Sequence, residues 1–276
     1  MLTLTGITKS FAGRRVLDGV DLKIEAGERV ALLGANGSGK TTTLRCIAGL
    51  AHADSGTIAI AGYDLAADPI PARSRISYLP QKSVFPATLT VREALGVVAK
   101  LRHLEVAAVD REIHACQLDA LAASGVGHLS GGERQRLAMA IAFLPTVDVY
   151  LFDEPSASLD PTASRLLFAR AKRLADDGRT LLFTTHVPAD VRHLATRIVL
   201  LRNGRIESDA AGTFELRRYE RMLEREMWGD DHEPVSSAAR MDDRGGLRRL
   251  PEPRAVRGAA AGRSCRVRAL PDAHLE

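Results

Sequence analysis

The run Gly34-Ala35-Asn36-Gly37-Ser38-Gly39-Lys40-Thr41 has the glycine spacing and closing Lys-Thr pair of a loop that cradles a nucleotide triphosphate. Glycines let successive backbone N–H groups converge on phosphate oxygens, and a helix starting behind them adds its dipole. Lys40 can then reach the β- and γ-phosphates, and Thr41 can offer its hydroxyl to Mg²⁺. Asn36, Ser38 and Thr42 complete the candidate nucleotide contacts. A purely structural glycine turn is the alternative. It fits poorly between the apolar run Arg29–Leu33 and a helical stretch over Thr41–Leu50. A second candidate is the apolar run Val149–Phe152 followed by Asp153 and Glu154. Strand alternation would send the two carboxylates to opposite sides, leaving Asp153 for the metal side and Glu154 to polarise an attacking water. Third comes Leu129-Ser130-Gly131-Gly132-Glu133. Two glycines and a hydroxyl at a helix start make another phosphate-binding device, although one nucleotide needs only one such cradle per polypeptide. The bland reading is a glycine hinge capping a helix over Glu133–Leu144.

The elements that must hold these groups follow from hydrophobic period. Leu2–Phe11 and Val16–Ile24 read as strands before the turn at Ala26-Gly27-Glu28. Arg29–Leu33 is continuous and apolar, as in a strand buried on both faces. Thr57–Ile60 and Ile76–Leu79 are further strands. Between Thr90 and Ser124 the period becomes helical: Val91, Ala94, Leu95, Val98 and Leu101 share one face, and Val109, Ile113, Cys116 and Leu121 another. Strands and helices then alternate through Val147–Phe152, Thr162–Ala175, Thr180–Thr184 and a short helix. Arg197–Arg202 and Arg205–Ser208 flank the hairpin signal Asn203-Gly204. The expectation is an α/β fold: a P-loop NTPase with a mainly parallel central sheet, an N-terminal antiparallel β subdomain and a helical insert over about residues 82–140.

Taken together, these motifs resemble the nucleotide-binding subunits of ATP-binding cassette (ABC) transporters, with LSGGE as their signature, over residues 1 to about 212. The resemblance implies ATP with Mg²⁺ as its cofactors and assigns roles position by position. Phe11 would stack on adenine. Gln81, ending Ser77-Tyr78-Leu79-Pro80-Gln81, would contact Mg²⁺ or the attacking water and sense a transmembrane partner. Ser130, Gly131 and Gly132 would bind the γ-phosphate held by an opposite subunit. Ser158-Leu159-Asp160 would communicate between the two sites, and His186 would hydrogen-bond the γ-phosphate. Ala35 stands where proline is common and Ala157 where serine is common, both tolerable. Because Glu154, His186 and the signature are all intact, a homodimer with two competent sites is expected. The compact insert resembles export-type ATPases. The implied partner is an integral membrane permease, approached through the insert near Gln81 and Val84-Phe85-Pro86-Ala87, which places the chain at the cytoplasmic face of the membrane.

Composition agrees with this reading and excludes others. Hydrophobic residues at 45% and charged residues at 26% rule out a wholly disordered, collagen-like or disulfide-scaffold chain. Cys46, Cys116 and Cys265 stand far apart without a Cys-x-x-Cys, so neither a zinc site nor disulfides are expected. No apolar run spans a bilayer, and the start lacks a signal peptide's pattern. The net charge of +4 is interspersed rather than gathered in a stripe, so nucleic acid is not an expected partner. A non-transport cassette ATPase of translation or DNA maintenance is the competing class. Those normally carry two cassettes or a long coiled coil, and here Leu129 follows Gln81 by only 48 positions. A P-loop kinase or GTPase would leave LSGGE unexplained.

Beyond the cassette, Phe214–Trp228 reads as a terminal helix within 213–229. Residues 230–276 contain only seven Leu, Ile, Val or Phe among 47, too few to support a core, so a disordered tail is expected. A chain ending after Gly229 should therefore bind and hydrolyse ATP like the full chain. Loss of folding or of turnover on that truncation, measured side by side, would make the tail part of the domain.

Overall fold

The computed structural model describes residues 1–211; the expected helix over 213–229 and the tail lie outside the described residues. Strands β1 (Leu2–Phe11) and β2 (Arg14–Ile24) form an antiparallel hairpin. Ala12 and Gly13, at φ 46° and 80°, turn it in the left-handed region that matches strand twist. Next come β3 (Arg29–Leu33), α1 (Lys40–Ile47), β4 (Ser55–Ile60), β5 (Tyr63–Asp64), α2 (Pro69–Ser74) and β6 (Ile76–Leu79). The insert carries α3 (Val91–Leu101) and α4 (Val106–Ala115), then two 3₁₀ turns and α5 (Gly131–Phe143). The chain closes with β7 (Val149–Asp153), α6 (Pro161–Asp176), β8 (Thr180–Thr184), α7 (Pro188–Leu194), β9 (Arg197–Arg202) and β10 (Arg205–Ala211).

Two sheets result. One is antiparallel, in the order β2-β1-β4-β5. The other runs β10-β9-β3-β8-β7-β6 and is parallel except for its β10 edge. Alternation divides the central strands between two cores. Val30, Leu32, Leu151, Leu182 and Val199 pack with α1 and the antiparallel sheet. Ala31, Leu33, Tyr150, Phe152 and Phe183 pack with residues of α3 to α7. Burial on both faces is why these strands read as unbroken apolar runs.

Parallel pairing puts the carboxyl ends of β3, β8 and β7 side by side, with Leu32 and Asp153 both opposite Thr184. Crevices at such strand ends are where ligands bind in open α/β sheets. The insert docks by a mixed joint: Arg170 of α6 pairs with Glu112 of α4 at 2.7 Å and lies over the Phe143 ring at 4.2 Å. Along α3, Val91, Ala94 and Leu95 are buried as the period requires, but Leu101 is 75% exposed. The helix ends there. After a left-handed His103, Leu104 N donates to Ala99 O at 2.8 Å, and Leu104 packs on the core in its place.

Candidate nucleotide site

An open cleft of about 430 Å³ lies over the loop between β3 and α1. Asn36, Gly37, Gly39, Lys40, Thr41 and Thr42 line it, with Gln81 and Glu154 at the far side. The loop's path depends on its glycines. A Cβ at Gly34 would sit 2.2 Å from Leu201 O and 2.6 Å from Ser38 Oγ. At Gly39 (φ 111°) it would meet Leu17 Cδ2 at 2.7 Å and Val16 O at 3.0 Å. Lys40 folds back, donating to Gly34 O at 2.7 Å and Ala35 O at 3.0 Å, so its ammonium is anchored inside the loop. Gly39 O accepts from Thr43 N at 2.8 Å, which starts α1 immediately behind the loop.

Asp153 is 1% exposed at the tip of β7. Its Oδ1 accepts from Thr184 Oγ1 at 2.6 Å and from Thr41 Oγ1 at 3.2 Å. Tyr78 OH stands 3.5 Å from Oδ2. Burial, reinforced by the Asp153 charge, pushes the Tyr78 phenol up to about 12, so it faces the carboxylate as a neutral hydroxyl. Glu154 behaves differently. Its backbone is left-handed (φ 50°), fixed by its N–H donating to Thr184 O and Thr184 Oγ1, each at 3.1 Å. The strand has already ended, so this backbone reversal, rather than the expected alternation, separates the two carboxylates. Non-glycine residues in that region carry strain and concentrate at functional sites. Glu154 Oε2 lies 3.3 Å from Gln81 Nε2 and 2.9 Å from His186 Nδ1. Two residues, 73 positions before and 32 positions after Glu154, thus converge on one of its carboxylate oxygens.

Other expected residues lie elsewhere. Phe11 is half exposed at the end of β1, with Lys9 Nζ 5.2 Å from its ring centroid, and it does not line the cleft. Ser130, Gly131, Gly132 and Asp160 do not line it either. Ser130 and Glu133 form a reciprocal cap on α5, in which Ser130 Oγ accepts from Glu133 N at 3.3 Å and Ser130 N donates to Glu133 Oε2 at 2.8 Å. That backbone bond holds the Glu133 carboxyl below its ordinary range. Asp160 caps α6 by accepting from Thr162 N and Ala163 N at 2.8 and 2.9 Å. The signature adjoins the 158–160 loop, since a Cβ on Gly132 would lie 3.6 Å from Ser158 O.

Sequence reasoning missed Arg14, Arg15, Val16, Asn203 and Gly204, which form the remaining cleft wall. In the sequence, Asn203-Gly204 reads only as a hairpin turn. Its left-handed pair (φ 48° and 76°) packs on β2 so closely that a Gly204 Cβ would lie 2.4 Å from Val16 O. Gly204 N donates to Ser38 O at 3.1 Å, tying the turn to the phosphate loop.

The family model described as "ABC transporter" matches residues 17–157. The chain belongs to the ABC transporter family. Nod factor export ATP-binding protein I of Burkholderia lata is 36% identical over 212 residues, covering 74% of this chain and 69% of that protein. Its counterpart in Paraburkholderia xenovorans is also 36% identical, with the same coverage. Among solved structures, an ATP-binding subunit of an ABC transporter superposes with TM-score 0.74 at 31% identity, covering 80% of this chain and 93% of its own. A dimeric bacterial ABC transporter cassette gives 0.71 at 25% identity, covering 76% and 98%. This ABC protein is an ATP-binding subunit whose hydrolysis of ATP powers transport across a membrane by an associated permease. The expected fold, with its antiparallel sheet and mainly parallel central sheet, is the one observed.

Gly34 offers a direct test of the loop. Gly34→Ala places a methyl against the Leu201 carbonyl, an overpacking that should cost about 1–3 kcal/mol in urea denaturation. It should also raise the Kd for ATP, because relief of the clash must displace the loop. Unchanged stability and ATP affinity would show that the loop does not depend on this glycine.

Proposed function

We propose that each chain supplies half of two ATP sites in a homodimer, with Glu154 as the base for the attacking water. The convergence of Gln81 and His186 on Glu154 Oε2 carries this reading. A carboxylate held between an amide and an imidazole, with a side chain only 13% exposed, is oriented before substrate arrives. The 34–42 loop and Lys40 take the triphosphate, and Phe11 offers its exposed ring to adenine. Ser130, Gly131, Gly132 and Asp160, all outside their own chain's cleft, serve the nucleotide of the opposite chain. Their backbone N–H groups and hydroxyl would complete the cage around the γ-phosphate, the preorganised electrostatics on which phosphoryl transfer depends.

Mg²⁺ fits the donors present. Thr41 hydroxyl and Asp153 carboxylate are hard oxygen ligands 3.2 Å apart, with Gln81 across the cleft. Among the described residues no cluster of three His, Cys, Asp or Glu side chains makes a complete protein cage. That suits an ion bound by one or two protein oxygens together with substrate phosphates. When bound, it would neutralise charge developing on the phosphate oxygens. The protein's own work is to hold the phosphates, orient the water and exclude solvent.

Export is the direction supported by the relatives, which are named export ATP-binding proteins. Among the described residues no helix is long and apolar enough to cross a membrane, so attachment at the cytoplasmic face is assigned to the permease. Of the residues expected to meet it, Phe85 packs on the insert core while its neighbour Val84 is 91% exposed. Val84→Asp should abolish co-purification with the permease and leave ATP binding intact. Normal co-purification would remove this surface from the contact. For the chemistry, Glu154→Gln keeps shape but removes the base, so ATP should bind without turnover and hold the dimer together. Light scattering with ATP and Mg²⁺ across protein concentrations should find dimers. A strict monomer with normal turnover would overturn both the base and the shared site.

A further inference from the structure

Asp190 is a buried carboxylate with no part in the nucleotide cleft. It sits in the first turn of α7 and is 3% exposed. Its Oδ2 accepts two side-chain hydroxyls, from Ser156 and, at 2.8 Å, from Thr185. Each hydroxyl belongs to a segment carrying part of the proposed catalytic cluster. Ser156 lies two residues beyond Glu154 and opens the turn towards Asp160, with Leu159 N donating to Ser156 O at 3.0 Å. Thr185 immediately precedes His186, and Thr185 Oγ1 accepts from Val187 N at 3.0 Å, which fixes the backbone on the far side of the histidine.

The same turn is gripped from a third direction. Gln135 of α5, 6% exposed, donates Nε2 to Pro155 O at 3.2 Å. Because α5 begins at the signature, this bond joins the helix that would face the partner's nucleotide to the residue following Glu154. Buried side-chain networks of this kind, fully satisfied, specify one arrangement rather than several.

We propose that Asp190 is a positioning residue that latches the 154–156 turn to the 184–187 loop, so that Glu154, His186 and the signature helix keep one geometry. The inference rests on the assignment of Glu154 and His186 to catalysis and adds the element that sets their separation. Asp190 itself does not line the nucleotide cleft. Two ties to a single oxygen resist sliding of one loop past the other, and an ångström of misplacement at a reacting centre can cost on the order of a hundredfold in rate. Binding of ATP, which uses the 34–42 loop, should be indifferent to the latch.

The test uses the full chain and compares kcat, KM and fluorescent-ATP affinity for Asp190→Ala, Asp190→Asn and Ser156→Ala. Asp190→Ala and Ser156→Ala should lower kcat by about tenfold or more with KM and affinity within about twofold, the signature of an interaction realised after binding. Asp190→Asn should recover most of kcat, because its amide oxygen still accepts both hydroxyls. Where Asp190→Ala fails to fold, Ser156→Ala decides the matter. Unchanged kcat in Ser156→Ala, a loss expressed only in KM, or Asp190→Asn as impaired as the alanine variant overturns the latch. Glu154→Gln measured alongside separates the two layers: normal turnover in that variant removes the base assignment, whereas a dead Glu154→Gln with a normal Ser156→Ala removes only the latch.

Discussion

A buried carboxylate at the end of β7 governs this structure. Asp153, 1% exposed, must be compensated, because an isolated ionised group out of water is prohibitively unfavourable. Two threonine hydroxyls do so, one from the neighbouring strand and one from the first turn of the helix behind the phosphate loop. Those bonds set the distance between the β7 tip, the β8 tip and α1. The chain after Asp153 is tied to the same strand end. It reverses through a left-handed Glu154 whose N–H is held by the same Thr184. The cluster of Glu154, Gln81 and His186 is therefore built upon the buried one.

The rest of the molecule serves that strand edge. Large apolar side chains on both faces of the central sheet make its strand ends rigid, with Tyr150, Phe152 and Phe143 in edge-on and tilted contact beneath the site. The antiparallel sheet packs on one face and contributes Arg14, Arg15 and Val16 as a cleft wall. Helices cover the other face and carry the signature at the start of α5. Sites built on strand and helix termini of this kind keep their geometry better than sites on free loops.

Much of this was legible in the amino-acid order, for identifiable reasons. Doubly buried strands such as Arg29–Leu33 and Thr180–Thr184 announce themselves as apolar runs with boundaries that match the structure. The phosphate loop was legible because only glycine tolerates its backbone contacts, as the Gly34 and Gly39 clashes show. What stayed hidden depends on contacts distant in sequence. Nothing local marks Asn203-Gly204 as a cleft wall, since its role arises from packing on Val16 and Ser38. Asp190 reads as an ordinary helix-start acid until Ser156, 34 residues earlier, is seen to reach it. The left-handed turn at Glu154 was equally invisible, because a glutamate gives no glycine-like warning. Leu101 misled for the opposite reason: it fits the helical period, but it is the last residue of the helix and stays exposed while Leu104 packs on the core.

A division of labour follows from this geometry. The cleft holds the groups proposed to grip a triphosphate and polarise water, while the signature and the 158–160 loop adjoin one another and do not line it. In the proposed shared site, one chain alone would leave the γ-phosphate open to solvent on the side assigned to the partner's signature. The most direct measurement is the ATPase rate per chain as the concentration of the wild-type protein is lowered through the range where sizing shows dimers giving way to monomers. Turnover per chain should fall in step with the dimer fraction and approach zero for monomers. A rate per chain that stays constant once the protein is monomeric would contradict the shared site.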